Sequence, residues 1–342
     1  MVNDSIFKGK TILITGGTGS VGSALVKELL KHEPSAIRIF DQDETKQFEM
    51  MHKLNRDDVL RFFLGDVRDK DRLLRAFSHV DIVFHCAALK HVQSSEYNPF
   101  ETVKTNVLGT QNVVDAALDT NVQKVILTSS DKAVNPTNVM GASKLLSERL
   151  ITSANYYKGA RKTVLSSVRF GNVLGSRGSV MPLFKKQIKK GGPLTVTNSD
   201  MTRFVMTPEH TVKLLFKATE IAQGGEIFVL KMPVLKVGDL ADSMIEKYSK
   251  GKPIAKKMIG TLPGEKMYEE LMTDHESKHA LESEDMFIIL PEMRDYVSFL
   301  KENKYGAKAT NAKSYSSNDV KLLSKPEIKK MLEEVESYYK RK

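Results

Sequence analysis

Residues 11–22 read Thr-Ile-Leu-Ile-Thr-Gly-Gly-Thr-Gly-Ser-Val-Gly, and this stretch decides the fold. The run Thr11–Thr15 is apolar and rich in β-branched side chains, which is typical of a buried strand. Val21–Leu30 follows with the apolar spacing of a helix. A buried strand that leads through a glycine-rich turn into a helix is the first unit of a dinucleotide-binding sheet. The stretch therefore predicts an α/β protein.

The glycine loop between this strand and helix has the spacing that a pyrophosphate requires. Gly16 permits the tight turn, Gly19 lets the backbone approach the anion, and Gly22 lets the helix pack closely on the strand. The helix N-terminus then faces the negative charge. The residues expected to contact a dinucleotide here are Gly16, Thr18, Gly19, Ser20, Val21 and Gly22. The alternative is a purely structural glycine-rich turn.

Short apolar runs alternate with helical stretches through the first half of the chain. The runs are Ile37–Phe40, Leu60–Leu64, Ile82–His85, Lys124–Thr128 and Thr163–Val168. This alternation predicts a Rossmann-type, doubly wound parallel sheet with helices on both faces. After about residue 170, Gly and Pro interrupt the rhythm, and Gly225–Leu230 reads as one more strand of the sheet.

We therefore predict two domains with the substrate in the cleft between them. The dinucleotide-binding domain comprises residues 1–172, with 204–232 rejoining it. A smaller, partly discontinuous C-terminal substrate domain comprises residues 173–203 and 233–342.

Acidic and small residues follow the next three strands. Asp41 ends the second strand, where a carboxylate can accept both adenosine-ribose hydroxyls and repels a 2′-phosphate, so NAD is favoured over NADP. Lys46 nearby weakens that preference, and Asp41 can instead cap the next helix. Asp66 and Val67 follow the third strand, where Asp66 either bonds the adenine amino group or serves the turn. Ala87 and Ala88 follow the fourth and leave room for the nicotinamide half.

Composition narrows the class of protein. The 342 residues carry a net charge of +10, which suits a polyanionic small molecule or, equally, a solvated surface. No polybasic arm, zinc-finger spacing or RNA-binding signature indicates a nucleic-acid partner. No apolar run has the roughly 18 residues of a membrane span, and no signal peptide is visible, so we predict a cytoplasmic protein without membrane insertion. Cys86 is the single cysteine, so neither a disulfide nor a multi-cysteine metal site is expected.

The segment after the fifth strand carries the candidate chemistry. Ser130, Asp131 and Lys132 stand where ligands lie in an open α/β sheet, outside the carboxyl ends of the strands. Lys144 lies in the next helix, and Met140 stands four positions before it, where a tyrosine base is expected. A thioether cannot remove a proton from an alcohol, so Asp131 and Lys132 are the candidate substitutes. The alternatives are an exposed turn ion pair for these two residues and a solvated helix lysine for Lys144.

An acid–base pair beside NAD⁺ is suited to dehydration of a sugar. Oxidation at C4 makes the C5 hydrogen acidic, a lysine of lowered pKa can take that proton, and a carboxylic acid can protonate the departing C6 hydroxyl. Lys144 and the nicotinamide ring lower the pKa of Lys132 whereas Asp131 raises it, so the net direction stays open.

At these residues the chain resembles the extended short-chain dehydrogenase/reductases, and within them the UDP-N-acetylglucosamine 4,6-dehydratases of capsule and flagellin-glycan synthesis. The motifs that carry the resemblance are the loop at 15–22, Ala87-Ala88-Leu89-Lys90-His91-Val92, Glu96-Tyr97-Asn98-Pro99, Ser130-Asp131-Lys132, Asn138-Val139-Met140-Gly141-Ala142-Ser143-Lys144, Arg169-Phe170-Gly171-Asn172-Val173, Gly175-Ser176-Arg177-Gly178-Ser179-Val180, Met201-Thr202-Arg203-Phe204 and Gly264-Glu265-Lys266.

The resemblance implies a role for each matching residue. Ser130 holds the C4 hydroxyl, Asp131 is the acid and Lys132 is the base, while Met140 is the family's own substitution in several branches. Lys144 and Val173 join the cofactor site. The implied substrate contacts are Lys90, Asn172, Arg177, Thr202, Arg203 and Glu265. Simpler interpretations remain for three of them: Arg177 as a surface arginine, Glu265 as a turn carboxylate, and Lys90 as a partner of Glu96.

Two departures from the family pattern matter. Asp41-Gln42 stands where many relatives have Ser-Arg, which favours NAD, and Leu262 replaces the arginine expected before Gly264-Glu265. The resemblance also implies a homo-oligomer, either a dimer or a hexamer, and inversion at C5. Two alternatives stay open: a nucleotide-sugar 4-epimerase or C4 oxidoreductase, and a non-catalytic NAD-sensing protein.

Overall fold

The computed structural model describes residues 6–293 and 305–340. Its strands are β1 (Thr11–Thr15), β2 (Ala36–Asp41), β3 (Leu60–Leu64), β4 (Ile82–His85), β5 (Lys124–Thr128), β6 (Val164–Arg169), β7 (Asn172–Val173), β8 (Leu194–Val196), β9 (Thr202–Met206), β10 (Ile227–Leu230), β11 (Val234–Lys236), β12 (Lys256–Met258), β13 (Glu270–Met272), β14 (Ala280–Glu282), β15 (Met286–Ile289), β16 (Lys308–Ala309) and β17 (Tyr315–Ser316).

The helices lie between these strands. They are α1 (Ser20–Leu29), α2 (Glu44–Leu54), α3 (Lys70–Phe77), α4 (Val92–Tyr97), α5 (Pro99–Thr102), α6 (Gly109–Asp119), α7 (Val139–Tyr157), α8 (Val180–Lys189), α9 (Pro208–Ile221), α10 (Val237–Tyr248), α11 (Asp274–Ser277) and α12 (Lys325–Lys340). A π-helical segment, Val103–Leu108, joins α5 to α6, and a 3₁₀ turn, Asp131–Ala133, follows β5.

One large sheet organises the molecule. In the described residues it has ten strands in the order β16-β14-β15-β10-β6-β5-β4-β1-β2-β3. The seven strands from β10 to β3 run parallel, which confirms the predicted Rossmann-type sheet. The strands β15, β14 and β16 run antiparallel. A short turn, in which the Ser283 amide donates to the Met286 carbonyl, joins β14 to β15, and such a connection makes antiparallel neighbours.

Helices cover both faces of the sheet because alternate side chains of each strand point to opposite sides. On β1, Ile12 and Ile14 pack into one apolar cluster with α1 and α9, and Leu13 packs into a second cluster with α3, α6 and α7. Both faces of these strands are therefore buried, which explains why their sequences are continuous apolar runs rather than alternating ones.

A third apolar cluster lies under the C-terminal half of the chain. It joins Phe184 of α8, Leu240 of α10 and Leu332 of α12. The three-stranded sheet β11-β9-β7 lies beside it and places the end of β6 next to β9. Strands β14 to β16, which the sequence-based division assigns to the substrate domain, extend the large sheet. The two-domain division itself stays a prediction.

Candidate active site

The glycine loop has the geometry of a phosphate cradle. Gly16 has a positive φ of 64°, and a Cβ atom there would lie 2.8 Å from the Cα of Ala87. A Cβ on Gly22 would lie 2.4 Å from the Gly16 carbonyl oxygen, so only glycine allows α1 to pack this closely. Gly19 precedes α1 without a side-chain cap, and the first turn of α1 has no acidic residue. The amides of this turn are therefore available to an anion.

Asp41 lies at the end of β2, as predicted, and faces the loop. Its Oδ2 accepts hydrogen bonds from the Thr18 amide at 3.0 Å and the Thr18 hydroxyl at 2.7 Å. Asp41 does not cap α2, because Asp43 occupies that position and accepts from the Lys46 amide at 3.0 Å. Asp41 also lines a cavity between the ends of β2, β3 and β4, which is the position of an adenosine in folds of this type.

Asp66 lines the same cavity but is also held in its own turn. Its Oδ1 accepts from the Arg68 amide at 2.9 Å, and its Oδ2 accepts from the Arg68 Nε at 2.7 Å. Burial alone would raise the pKa of Asp66, but these bonds to Arg68 outweigh it and lower the pKa. Both sequence interpretations of Asp66 are thus compatible with its position. Val67, Ala87 and Ala88 line the cavity as well.

A larger cavity of about 590 Å³ begins where this one ends and runs along the carboxyl ends of β4, β5 and β6. It brings the glycine loop together with the predicted reacting residues Ser130, Lys132, Met140 and Lys144, whereas the buried Asp131 lies behind Lys132 and does not line it. Among its lining residues are Gly16, Gly19, Ser20, Val21, Gly22, Ala88, Lys90, Ser130, Lys132, Met140, Lys144, Asn172, Val173 and Arg177.

Asp131 and Lys132 form a tight pair in the turn after β5. Lys132 Nζ donates to Asp131 Oδ1 at 3.0 Å, and the Ser130 hydroxyl donates to the same oxygen at 2.7 Å. The Asp131 side chain is 1% exposed and that of Lys132 is 23% exposed, so this is not the exposed turn ion pair of the alternative interpretation. The Asp131 amide donates to the Phe170 carbonyl, which fixes the turn to the end of β6.

The charge state of this pair is set by its surroundings. Burial lowers the pKa of Lys132, but the carboxylates of Asp131 and Glu269 outweigh burial and raise it. The pKa shift of Lys132, whose direction the sequence left open, is therefore upward. One oxygen of Asp131, Oδ2, is buried and has no hydrogen-bond partner among the described residues.

Helix α7 presents Met140 and Lys144 to the cavity on one face, as their spacing predicts. Asn138 caps the helix, its Oδ1 accepting from the Gly141 amide at 2.8 Å. Lys144 is buried and its Nζ donates to the Thr128 carbonyl at 2.7 Å, so it is not a solvated helix lysine. Burial lowers the pKa of Lys144 to about 8, against the opposing effect of Glu148. Its charge is thus easily changed near neutral pH.

Gly141 controls the distance between α7 and the Asp131–Lys132 turn. A Cβ atom at this position would lie 2.2 Å from the Lys132 carbonyl oxygen. We expect Gly141→Ala to displace Lys132 and to lower kcat for the reaction at this cavity by about 10-fold to 100-fold, since small misplacements have such effects. Steady-state kinetics checks this, with Ser153→Ala later in α7 as the control; unchanged kcat in a folded Gly141→Ala protein would contradict it.

Lys90 and Arg177 are linked across the mouth of the cavity. Lys90 Nζ donates to the Arg177 carbonyl at 2.8 Å, and it does not pair with Glu96, whose Oε1 accepts from the Val139 amide. The Arg177 guanidinium donates to the Thr18 carbonyl, and the Arg177 amide donates to the Ser20 hydroxyl at 3.1 Å. Arg177 thus contacts the glycine loop, and its role toward the substrate diphosphate stays a prediction.

The remaining predicted substrate residues do not line the cavity. The Thr202 hydroxyl bonds the Ser317 hydroxyl at 2.8 Å, and Arg203 Nη1 donates to the Thr202 carbonyl at 2.9 Å. Glu265 is exposed and accepts from the Leu262 amide at 3.1 Å, which is the turn geometry of the simpler interpretation. Contacts from these three residues to a nucleotide stay predictions.

Glu269 is the charged residue that sequence reasoning missed. It is buried, and its Oε1 lies 3.5 Å from Lys132 Nζ and 3.9 Å from Arg203 Nε. In the sequence it is one of several acidic residues in 265–270, with no periodicity or motif that separates it from its exposed neighbours. Only the tertiary structure brings it to the turn after β5.

Two other features, a membrane-spanning helix and a cluster of metal ligands, are absent from the described residues. No helix within 6–293 or 305–340 combines the length and apolarity that a membrane span requires. No group of three or more His, Cys, Asp or Glu side chains in the same ranges could hold a metal ion.

Comparison with known proteins identifies the family. The profile of a family described as polysaccharide biosynthesis proteins matches residues 12–291. The chain belongs to this family. It is an extended short-chain dehydrogenase/reductase, as the sequence motifs predict.

Several known proteins match this chain along nearly their whole length. An uncharacterized membrane protein of Methanocaldococcus jannaschii is 54% identical, over 97% of each chain. A UDP-N-acetylglucosamine 4,6-dehydratase (inverting) of Campylobacter jejuni is 42% identical, over 97% of this chain and 100% of the relative. A UDP-glucose 4-epimerase of Rickettsia rickettsii is 41% identical, over 96% of each chain. The relatives thus include nucleotide-sugar dehydratases and epimerases.

Solved structures agree with this placement. Pen from Bacillus thuringiensis superposes with a TM-score of 0.89 at 46% identity, covering 96% of this chain and 99% of that one. DesIV, a dTDP-glucose 4,6-dehydratase from Streptomyces venezuelae with NAD and TYD bound, superposes with a TM-score of 0.67 at 22% identity, covering 75% and 86%. The second likeness shows the fold alone.

Proposed function

We propose that this polysaccharide biosynthesis family member is a UDP-N-acetylglucosamine 4,6-dehydratase. It would convert its substrate to a UDP-4-keto-6-deoxy-N-acetylhexosamine, with inversion at C5. The observation that carries the proposal is that Lys132, paired with the buried Asp131, lines the same cavity as Met140 and the glycine loop. The 42% identity to the Campylobacter jejuni dehydratase supports it.

NAD fits the cavity lined by the glycine loop. The α1 amides that lack a side-chain cap suit its pyrophosphate, and Asp41 suits the adenosine ribose. Lys144 would hold the nicotinamide ribose. NAD, when bound, supplies the acceptor that takes a hydride from C4 and returns it at C6.

The protein's own groups would manage the protons. Ser130 would hold the C4 hydroxyl, Lys132 would take the C5 proton, and Asp131 would give a proton to the departing C6 hydroxyl. Over the whole reaction the sugar gives up the C4 hydroxyl proton to solvent and the C5 proton to Lys132. It takes up one proton from Asp131, which leaves with water, and one proton from solvent, which reaches C5 on the face opposite Lys132. Transfer of the C5 proton from Lys132 to Asp131 then restores both groups. The sugar therefore releases and takes up the same number of protons, and Asp131, Lys132 and solvent exchange all of them.

The ion pair of Asp131 and Lys132 needs one internal proton transfer before it can act as an acid and a base. With an ionised Asp131 and a protonated Lys132, the carboxylate cannot donate and the amine cannot accept. Transfer of one proton from Lys132 Nζ to Asp131, across the 3.0 Å contact, would produce an acid and a base together without changing the net charge of the site. The partly exposed Lys132 side chain lines the cavity, so substrate can displace it from Asp131.

Product analysis tests the proposed reaction. The enzyme is incubated with NAD and UDP-N-acetylglucosamine in deuterated water, and the sugar is followed by NMR and mass spectrometry. We expect a new C6 methyl signal and deuterium at C5. The absence of the methyl signal would reject dehydration, and loss of water without deuterium at C5 would remove the role of Lys132.

The similarity to UDP-glucose 4-epimerases supports a second candidate, a nucleotide-sugar 4-epimerase. A product inverted at C4 that keeps its C6 hydroxyl would favour this candidate. The family resemblance implies that such epimerases usually use a tyrosine at position 140, and Met140 cannot serve as that base. A non-catalytic NAD-sensing protein would bind the dinucleotide and give no product with any nucleotide sugar.

The preference for NAD over NADP should depend on Asp41. Its carboxylate would repel a 2′-phosphate, and Lys46 and Arg177 line the same cavity as cations that could accept one. We expect Asp41→Ser to weaken NAD binding by about 10-fold and to narrow the ratio of NAD to NADP affinity by about 100-fold, since one charged contact contributes about 1.5–3 kcal/mol. Calorimetric titration with both dinucleotides checks this. Asp57→Ser, an exposed acid outside the cavity, is the control.

The UDP-sugar substrate, the homo-oligomer and the cytoplasmic location stay predictions. Leu262, in place of the family arginine, has its amide bonded to Glu265, and its side chain offers no charge to a diphosphate. Affinity for UDP compared with dTDP, measured on the NAD-loaded protein, would show which nucleotide the site accepts.

A further inference from the structure

Two hydrogen bonds to Ser317 fix the backbone of Glu269. Its amide donates to the Ser317 hydroxyl at 2.9 Å, and its carbonyl accepts from the Ser317 amide at 2.8 Å. The Ser317 hydroxyl in turn bonds the Thr202 hydroxyl at 2.8 Å. Two distant segments, around Ser317 and Thr202, therefore hold the backbone of Glu269 in place. Its side chain is 4% exposed and reaches the turn after β5.

The carboxylate of Glu269 is unlike the structural carboxylates of the same protein. Glu148 and Glu276, which surround the buried Arg169, have both oxygens bonded to its guanidinium, at 2.7–3.1 Å. Glu269 has only the longer contacts of Oε1 with Lys132 and Arg203, and its buried Oε2 has no partner among the described residues. Buried carboxylates that serve packing alone normally satisfy both oxygens, so Glu269 calls for another role.

Lys132 lies between two carboxylates, each with one unpartnered oxygen. Asp131 Oδ1 is 3.0 Å from its Nζ and Glu269 Oε1 is 3.5 Å away. The other charged groups facing Glu269 are Arg203 and Lys266. Burial raises the pKa of Glu269, while Lys132 opposes the shift. The second carboxylate strengthens the hold on the ammonium form of Lys132 beyond what Asp131 provides.

We propose that Glu269 is a positioning residue for Lys132, whose carboxylate keeps the amine beside Asp131 and stabilises its protonated form until substrate binds. This inference rests on the proposed function in assigning the base to Lys132. Glu269 approaches Lys132 from the C-terminal segment whereas Asp131 approaches it from the β5 turn, so the two acids confine the amine from separate parts of the chain. Replacing Asp131 would remove the proposed acid itself, whereas replacing Glu269 would change only the position and the protonation of the proposed base, Lys132.

Competitive labelling of Lys132 tests the inference without substrate. The NAD-loaded protein is treated with acetic anhydride at a series of pH values, and labelling of the Lys132 peptide is measured by mass spectrometry. Because an opposite charge within about 4–6 Å typically shifts a pKa by about one unit or more, we expect Glu269→Gln to move the Lys132 labelling curve to lower pH by about one unit. Glu269→Asp keeps the charge and should stay nearer to wild type.

Glu270→Gln is the matched control, since its carboxylate bonds Asn135 at 2.8 Å and has no contact with Lys132. Its labelling curve should overlay that of wild type. In turnover assays, the rise of kcat/KM with pH should move in Glu269→Gln in the same direction as the labelling curve.

Labelling curves of Glu269→Gln and wild type that coincide would overturn the inference, even if activity falls, because a merely structural role lowers activity without moving the titration of Lys132. Failure of the proposed function would give a different experimental result. Wild-type protein that forms no C6-methyl product would reject the dehydratase activity, while the labelling curves would still decide what Glu269 does to Lys132.

Discussion

We expect Lys132→Ala to lower kcat for the proposed loss of water from the nucleotide sugar by about 10³-fold, within the range that positioned acid–base groups contribute, and to leave NAD binding nearly unchanged. The reason is that the proposal assigns the C5 proton to Lys132, while the glycine loop and Asp41 line the predicted dinucleotide cavity independently of Lys132. Single-turnover kinetics measures the loss, and calorimetric titration with NAD measures the retained binding.

Lys132→Arg separates the base from its charge. A guanidinium keeps the positive charge between Asp131 and Glu269 but does not lose its proton in proteins, so it cannot act as the base. We expect Lys132→Arg to be as inactive as Lys132→Ala while folding at least as stably. The exposed Lys278→Ala is the control and should retain full activity. Turnover of Lys132→Arg within about 10-fold of wild type would show that Lys132 contributes charge rather than proton transfer.

We expect Arg169→Met to destabilise the fold by about 3–5 kcal/mol, the typical cost of leaving buried charges without their partner. The Arg169 guanidinium is fully buried at the end of β6 and bonds Glu148 of α7, Glu276 of α11 and the Leu271 carbonyl of β13. Burial opposes its charge, but the two carboxylates outweigh that effect and raise the pKa of Arg169 further above its usual range. Methionine fills a similar space but leaves two carboxylates unpaired. Urea denaturation measures the change.

Two further variants test the cause of this loss. Arg149→Met removes an exposed arginine from α7, the helix that carries Glu148. It should change the free energy of unfolding by less than about 0.5 kcal/mol. Adding Glu148→Gln and Glu276→Gln to Arg169→Met should recover part of the lost stability, because neutral amides need no counter-charge. No recovery in the triple variant would show that lost packing, rather than unpaired charge, causes the destabilisation.

Much of the fold follows from local pattern. The predicted strands Thr11–Thr15, Leu60–Leu64, Ile82–His85 and Lys124–Thr128 have the same bounds in the structure, because buried parallel strands read as continuous apolar runs. The antiparallel strands β14 to β16 were not predicted. They are only two to four residues long and lie in a more polar region, so neither length nor periodicity distinguishes them from turns.

The residues of the candidate site also fall into two groups: those predicted from their place after a strand, and those assigned by resemblance alone. The glycine loop, Asp41 and the Asp131–Lys132 pair could be predicted because each directly follows a strand, and strand ends meet at one edge of a parallel sheet. Thr202, Arg203 and Glu265 were placed at the nucleotide by resemblance alone, and in the structure they bond to neighbouring segments outside the cavity. Spacing along the chain shows which side chains share a face of a helix or strand, but not which distant segment that face will meet.

The sequence by itself determined that this chain folds around a dinucleotide-binding sheet, and it predicts that an amine and a carboxyl group replace the missing phenol at position 140. Those features depend on neighbours in the chain, so periodicity and spacing reveal them. Only the tertiary structure decided that Glu269 reaches Lys132, that Arg177 contacts Thr18, and that the pKa of Lys132 moves upward. These outcomes depend on the distances between charges from segments far apart in the chain, and such distances exist only once the chain has packed.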